Sequence, residues 1–300
     1  MALSLASAIW GGMYVASDAL MRTVPPLVVL ELREAISSAV LLPIAFKEGG
    51  ILRIKRAELP GFIAAGTIGF AGSVGFQFFG TDLAGAALGS LVTASSPVLI
   101  AILGAVVLKE QVPIRRWASI ALALVGMMVV VGTPSPGKNV RSGVLLLLVA
   151  ALAWSIYTII STKLLERHSA LTVVSVACSV GALTSLPFAA ISFANSSHPL
   201  PLTTSGWLEV AYISVVGMAF AFFLWIWGFN HVAASRGGVM LLVQPLVGVF
   251  LGVLLLGERI SSGTLIGGTL VCLGVTFAVI SSKEVAWPSK DSNITEVKPT

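Results

Sequence analysis

Ser7, Trp10, Tyr14 and Asp18 follow one another at steps of three and four residues, and Trp154, Tyr157 and Ser161 repeat the pattern later in the chain. On an α-helix such spacing puts side chains on one face. Each stripe joins aromatic rings to hydroxyl groups, which is the chemistry of non-covalent recognition: a ring face attracts an ammonium group, and a hydroxyl donates or accepts a hydrogen bond. Gly66, Gly69, Ser73, Gln77 and Thr81 form a third stripe, and Gly89, Thr93 and Ser96 lead up to Pro97. Gln244 stands before Pro245 as Ser96 stands before Pro97. A helical proline removes one donor and frees the carbonyl four residues earlier, here those of Thr93 and Leu241. These carbonyls, with Ser96 and Gln244, are candidate ligands for a substrate ammonium group. Each feature also has a packing reading: the glycines as close helix contacts, the prolines as kinks, and Trp10 and Trp154 as buried rings.

These residues must be carried by elements that the composition restricts severely. Of 300 residues, 56% are hydrophobic and 10% charged, against roughly 25% charged in a soluble domain. Ten apolar runs, at 2-21, 27-46, 61-81, 85-108, 115-132, 143-162, 170-193, 207-230, 235-256 and 261-282, approach the roughly 17 to 25 residues that cross a bilayer as a helix. The second run contains Glu31, Arg33 and Glu34, and the fifth is short. The first run lacks a basic start and is expected to be a span rather than a signal peptide. Cys178 and Cys272 fall inside runs, as small apolar residues. The tail 283-300 is polar and contains prolines, which predicts disorder.

The net charge of +5 is spent on orientation, not on nucleic acid. With the N-terminus inside, thirteen Lys and Arg residues fall on the cytoplasmic side, four (Arg22, Lys138, Arg141 and Arg259) fall outside, and Arg33 is left within a run. Positive residues favour the cytoplasm, so both termini are expected there.

The chain also repeats itself. Trp10/Trp154, Ser17/Ser161, Leu27/Leu171 and Pro43/Pro187 agree at an offset of 144, and Gly80/Gly228, Gly89/Gly237, Pro97/Pro245, Gly104/Gly252, Glu110/Glu258 and Gly126/Gly274 at 148. Five runs per copy is an odd number, so the second copy enters the membrane from the opposite side. The expected fold is an all-α integral membrane protein with ten transmembrane helices as two inverted five-helix repeats. The first repeat spans 1-135, the second, inverted repeat 136-282, and 283-300 is the cytoplasmic tail. Inverted repeats give two related shapes around a midplane site, the architecture of alternating access.

"AIWGGMYVASD" (8-18), "LREAISSAVLLP" (32-43) and the paired Pro-x12-Glu stretches resemble the drug/metabolite transporter superfamily in its ten-helix EamA-type branch, and most resemble YddG-type bacterial amino acid exporters. The resemblance covers residues 2-282 and implies outward transport of aromatic and other neutral amino acids. Those exporters often carry aromatic residues just before the proline of the fourth helix, where this chain has Ala94, Ser95 and Ser96.

The proposed lining is Trp10, Tyr14, Ser73, Gln77, Thr93, Ser96, Trp154, Tyr157 and Gln244, with Pro97 and Pro245 as kinks that could act in gating. It is aromatic and polar but nearly uncharged, which suits a zwitterion. Arg33 lies about 9 Å into its run at 1.5 Å per residue. It is either a mouth charge for a substrate carboxylate, or it snorkels or pairs with an acid; Glu31 and Glu34 share another helix face, so a partner on a different helix is expected. Glu110 and Glu258 end their helices beside basic residues and read as structural. An intramembrane enzyme is excluded because His168, His198 and His231 lie in loops or at helix ends and no HExxH or GxGD motif occurs. No cofactor or metal is implied, and the duplicated chain needs no second subunit, so a monomer is expected. A non-transporting scaffold and a proton-coupled exporter of drugs or other metabolites are the alternatives.

Overall fold

The computed structural model describes residues 1-107, 114-132, 139-196, 203-222, 224, 225, 240 and 243-280. Glu110, Leu241, His198, His231 and the tail 283-300 lie outside the described residues, as do parts of the runs 207-230 and 235-256. Among the described residues every regular element is helical: α1 (Ala2–Met21), α2 (Pro26–Lys47), α3 (Leu59–Ala64), α4 (Gly75–Ala84), α5 (Ala86–Thr93), α6 (Ser96–Val107), α7 (Ile114–Gly132), α8 (Val140–Leu165), α9 (Ala170–Ala194), α10 (Thr204–Ala211), α11 (Val243–Leu256) and α12 (Ser262–Ile280). Two short 3-10 turns, Ile51–Arg53 and Arg56–Glu58, and two π-helical stretches, Ala65–Val74 between α3 and α4 and Tyr212–Phe220 after α10, accompany them. Among the described residues three continuous helices, Arg56–Ala84, Val140–Leu165 and Ala170–Ala194, are long and apolar enough to cross a membrane. Large apolar side chains such as Leu183, Phe188, Leu246, Phe250 and Ile266 are exposed around the outside, as a lipid-facing surface requires.

The run 85-108 is not one rod. It breaks at Ala94 and Ser95 into α5 and α6. Pro97 cannot donate to the helix ladder, and two serines use the loosened turn: Ser95 Oγ donates to the Val92 carbonyl at 2.6 Å and Ser96 Oγ to that of Thr93 at 2.6 Å. The Thr93 carbonyl freed by Pro97 is therefore occupied by the neighbouring hydroxyl. Pro97's own side chain lies outside the described residues, and Pro245 is buried in α11.

The π stretches are where glycines let helices touch. A Cβ at Gly69 would stand 2.5 Å from the Tyr157 ring, and one at Gly217 would collide with Met13. Ser37 donates across to the Ser214 carbonyl at 3.0 Å, binding α2 to the second π stretch.

At one end of the bundle α11 is tied to α5. Gly257 has φ +68°, the left-handed conformation that closes a helix C-terminus, and it turns Glu258 back under its own helix. The carboxylate then accepts from the backbone nitrogens of Ala86 at 2.6 Å and Ala87 at 2.8 Å. It caps the positive N-terminal end of α5 across a separation of 172 residues. Gly85, at φ +91°, leaves the room: a Cβ there would be 2.6 Å from Glu258 Oε1. Glu258 is structural, as expected, but its partners are amides and not a nearby base.

Candidate functional site

The first stripe lies on α1. Trp10 stands beside Phe222 and Trp225, with ring centroids 5.4 Å and 5.1 Å away, and its indole nitrogen donates to the Gly217 carbonyl at 2.9 Å. That carbonyl belongs to the π stretch Tyr212–Phe220. A π turn departs from the regular hydrogen-bond ladder, and here it presents a backbone acceptor to a side chain of another helix. One turn further along α1, the Tyr14 hydroxyl lies 2.5 Å from Thr93 Oγ1 and receives Gln244 Nε2 at 3.3 Å. Thr93 Oγ1 in turn donates to the Gly89 carbonyl at 2.8 Å. The donors then run in one direction, from the Gln244 amide to Tyr14, to Thr93 and to a backbone carbonyl of α5. Three residues chosen separately from sequence, on α1, α5 and α11, thus form one polar chain.

The second stripe lies on α8. Trp154 and Tyr157 have ring centroids 4.9 Å apart, and Tyr157 meets Phe70 edge-on at 5.5 Å. Trp154 and Phe222 both pack against the apolar cluster that contains Phe70, Tyr157 and Met218. Phe222 also meets Trp10, so both stripes border the same cluster. Phe70, Phe222 and Trp225 were not singled out from the sequence. A signal existed for Trp225, because the offset of 148 sets it on Gln77.

Other candidates have different surroundings. Ser73 is buried and donates to the Ala150 carbonyl at 2.8 Å, joining the first π stretch to α8. Ser96 turns onto Thr93 as described, and its own carbonyl receives Ser155 Oγ at 3.4 Å. Gln77 lies on α4, partly exposed.

Arg33 requires a correction. It is buried at 8% exposure rather than open at a mouth, and its ion-pair partner is not on another helix: Nη1 lies 3.3 Å from Glu34 Oε1, the adjacent residue. Adjacent Cβ atoms point apart, but a guanidinium on three methylenes can fold back along its helix where a charge would otherwise stay unpaired. Its second nitrogen Nη2 reaches Met218 Sδ, on the second π stretch, at 3.5 Å. Glu34 itself is wholly buried, a carboxyl within the bundle that the reading of a nearly uncharged interior passed over.

The arrangement offers rings, hydroxyls, an amide and backbone acceptors, and among the described residues it has no cluster that could hold a metal. Known proteins place it in a group. The family model described as the EamA-like transporter family matches residues 1–132 and again 141–280. The chain belongs to this family. EamA-like proteins are transporters of the drug/metabolite superfamily and not enzymes. Among relatives of this EamA-like transporter, an uncharacterized transporter of Archaeoglobus fulgidus is 28% identical over 277 residues, covering 92% of this chain and 97% of its own. The "Probable amino-acid metabolite efflux pump" of Salmonella typhimurium is 26% identical over 283 residues, covering 89% and 90%. A solved crystal structure of a protein 21% identical aligns with a TM-score of 0.64 over 92% of this chain and 94% of that one, a likeness of fold alone. The EamA-like transporter is thus a membrane protein that moves a small molecule.

Proposed function

We propose that this transporter exports neutral amino acids, aromatic ones among them, by alternating access through a cavity between two inverted five-helix repeats. The site is the polar chain Gln244–Tyr14–Thr93 together with the rings of Trp10, Trp154 and Tyr157. One observation carries the substrate class: on α1 the Tyr14 hydroxyl, bonded to Thr93 and the Gln244 amide, lies one turn from the paired rings of Trp10 and Trp225. A zwitterion's ammonium meets oxygens and ring faces, and its apolar side chain meets the rings. The name of the Salmonella typhimurium relative agrees with this class.

The two-repeat reading, with repeats at 1-135 and 136-282 and ten membrane crossings, has support from contacts that exchange between halves. Gly69 packs on Tyr157 and Gly217 on Met13; adding 148 to the first residue and subtracting 144 from the second converts one pair into the other. Gly126 approaches Val271 and Gly274 approaches Ala123, again interchanged by 148. A pseudo-twofold axis produces such swaps, whereas simple translation of one half along the chain would not. The basic-residue bias supports cytoplasmic termini in a bacterial inner membrane, and a monomer suffices because one chain carries both halves.

The test is uptake by proteoliposomes containing the purified chain, with a radiolabelled panel of leucine, phenylalanine, tryptophan, lysine and glutamate. Flux of the neutral members alone is the expected result. Flux only of charged members, or of none, would reject the substrate reading.

A further inference from the structure

The charged residues of α2 sit where the packing does not demand them. An offset of 144 sets Ala177 on Arg33 and Cys178 on Glu34, and α2 and α9, which carry these positions, pack against each other. The second half makes its share of this contact with uncharged side chains, both of them buried. The ion pair is therefore an addition to the first half and not a requirement of the helix contact.

That addition is incompletely satisfied. Glu34 has no exposed side-chain surface; Oε1 is held by Arg33 at 3.3 Å, whereas the buried Oε2 has no hydrogen-bond partner among the described residues. Arg33 Nε is likewise buried without one among the described residues. Oε2 lies against Gly181, and a Cβ there would occupy its place. Glu31 lies one turn nearer the start of α2, is only partly buried, and accepts from Ser185 Oγ at 2.7 Å. One guanidinium thus accompanies two carboxylates. Fully ionised, the group carries a net negative charge inside a helix bundle, where uncompensated charge is strongly unfavourable; one proton makes it neutral. Among the described residues, the titratable groups around Glu34 are Arg33 and Glu31 on its own helix, Cys178 on α9 and Tyr157 on α8. Neither a buried thiol nor a phenol supplies the missing positive charge.

We infer that Glu34 is a proton-binding site, taking up one exchangeable proton at its free oxygen, and that this proton couples export to the proton gradient. The inference rests on the transport reading above and supplies its driving ion. Glu31, partly exposed one turn away, is the group through which the proton enters and leaves. Protonation converts the Glu34 carboxylate to a neutral acid and releases Arg33 from its ion pair. Arg33 Nη2 already touches Met218, the neighbour of Gly217 whose carbonyl holds Trp10. Loss or gain of the ion pair is thereby felt at Trp10, a ring of the proposed site.

Two measurements on the full-length protein in lipid test this. In infrared difference spectra between two buffers that both lie above the range in which exposed carboxylates titrate, without substrate, wild type should show the carbonyl band of a protonated carboxylic acid. Glu34→Gln should lose that band, Glu31→Gln should keep it, and Gly181→Ala, which crowds the same oxygen without removing it, should shift it. In proteoliposomes, wild-type uptake of labelled phenylalanine should rise when a proton gradient is imposed. Glu34→Gln should still exchange labelled for unlabelled phenylalanine but show equal uptake with and without the gradient. A wild-type spectrum lacking the band, a band that survives Glu34→Gln, or a wild-type flux indifferent to the gradient overturns the inference. If Glu34→Gln does not fold, an unshifted band in Gly181→Ala overturns it equally. Failure of wild type to move any amino acid refutes the substrate reading alone, since the infrared signal needs no substrate.

Discussion

Glu258 closes its carboxylate on the backbone nitrogen of Ala86 at 2.6 Å, so that a residue just past the end of α11 caps the helix that follows α4. The contact is charge-assisted and sits at a helix N-terminus, a combination that stabilises beyond a neutral cap. Replacing Glu258 by Ala should cost about 1 to 2 kcal/mol of stability, and Glu258→Gln, which keeps an acceptor oxygen, should cost less. Loss of folded protein on heating in detergent, followed by size-exclusion chromatography, measures the order. A Glu258→Ala protein as heat-resistant as wild type would show that the cap is dispensable.

Gly85 should tolerate substitution worse than Glu258 does. Its φ of +91° strains any side chain, and a Cβ would press on Glu258 Oε1 at 2.6 Å. Both penalties act together in Gly85→Ala. The same heating assay should rank it below Glu258→Ala.

Tyr14→Phe removes the hydroxyl that joins Gln244 to Thr93 while keeping the ring. The expected loss of stability is about 1 kcal/mol. If this chain of donors binds substrate, the concentration for half-maximal amino acid uptake should rise several-fold with little change in protein yield. An unaltered uptake curve would assign Tyr14 to packing.

Trp154→Ala should reduce neutral amino acid flux more than any other single change in the second stripe, because Trp154 contacts Tyr157 and joins the cluster reached by Phe222. Flux per reconstituted protein is the measure, with Trp154→Phe as the partner variant. Transport by Trp154→Ala at the wild-type rate would remove this ring from the site.

Cysteines introduced singly in the 47-60 loop, on a background lacking Cys178 and Cys272, should resist impermeant maleimide in intact cells and react once the cells are opened. The basis is the thirteen-to-four distribution of basic residues together with the positive-inside rule. Labelling from outside would invert the orientation.

What the sequence by itself determined is local or repetitive. The runs at 2-21, 27-46, 143-162 and 170-193 correspond to α1, α2, α8 and α9 within three residues at either end, because length and apolarity alone decide whether a segment can sit in lipid as a helix. Membership of the EamA-like family followed from the order and duplication of short motifs, and the shared faces of Trp10 with Tyr14 and of Trp154 with Tyr157 from helical spacing. Tertiary structure decided what each side chain touches. Tyr14 meets Gln244 across 230 residues and Trp10 meets Gly217 across 207, and no periodicity encodes such partners. The π stretches were illegible for the same reason, since they are set by glycines meeting Tyr157 and Met13 on other helices. Arg33 shows the limit most clearly: face geometry separated it from Glu34, but only burial by α9 and the second π stretch made the adjacent carboxylate its partner.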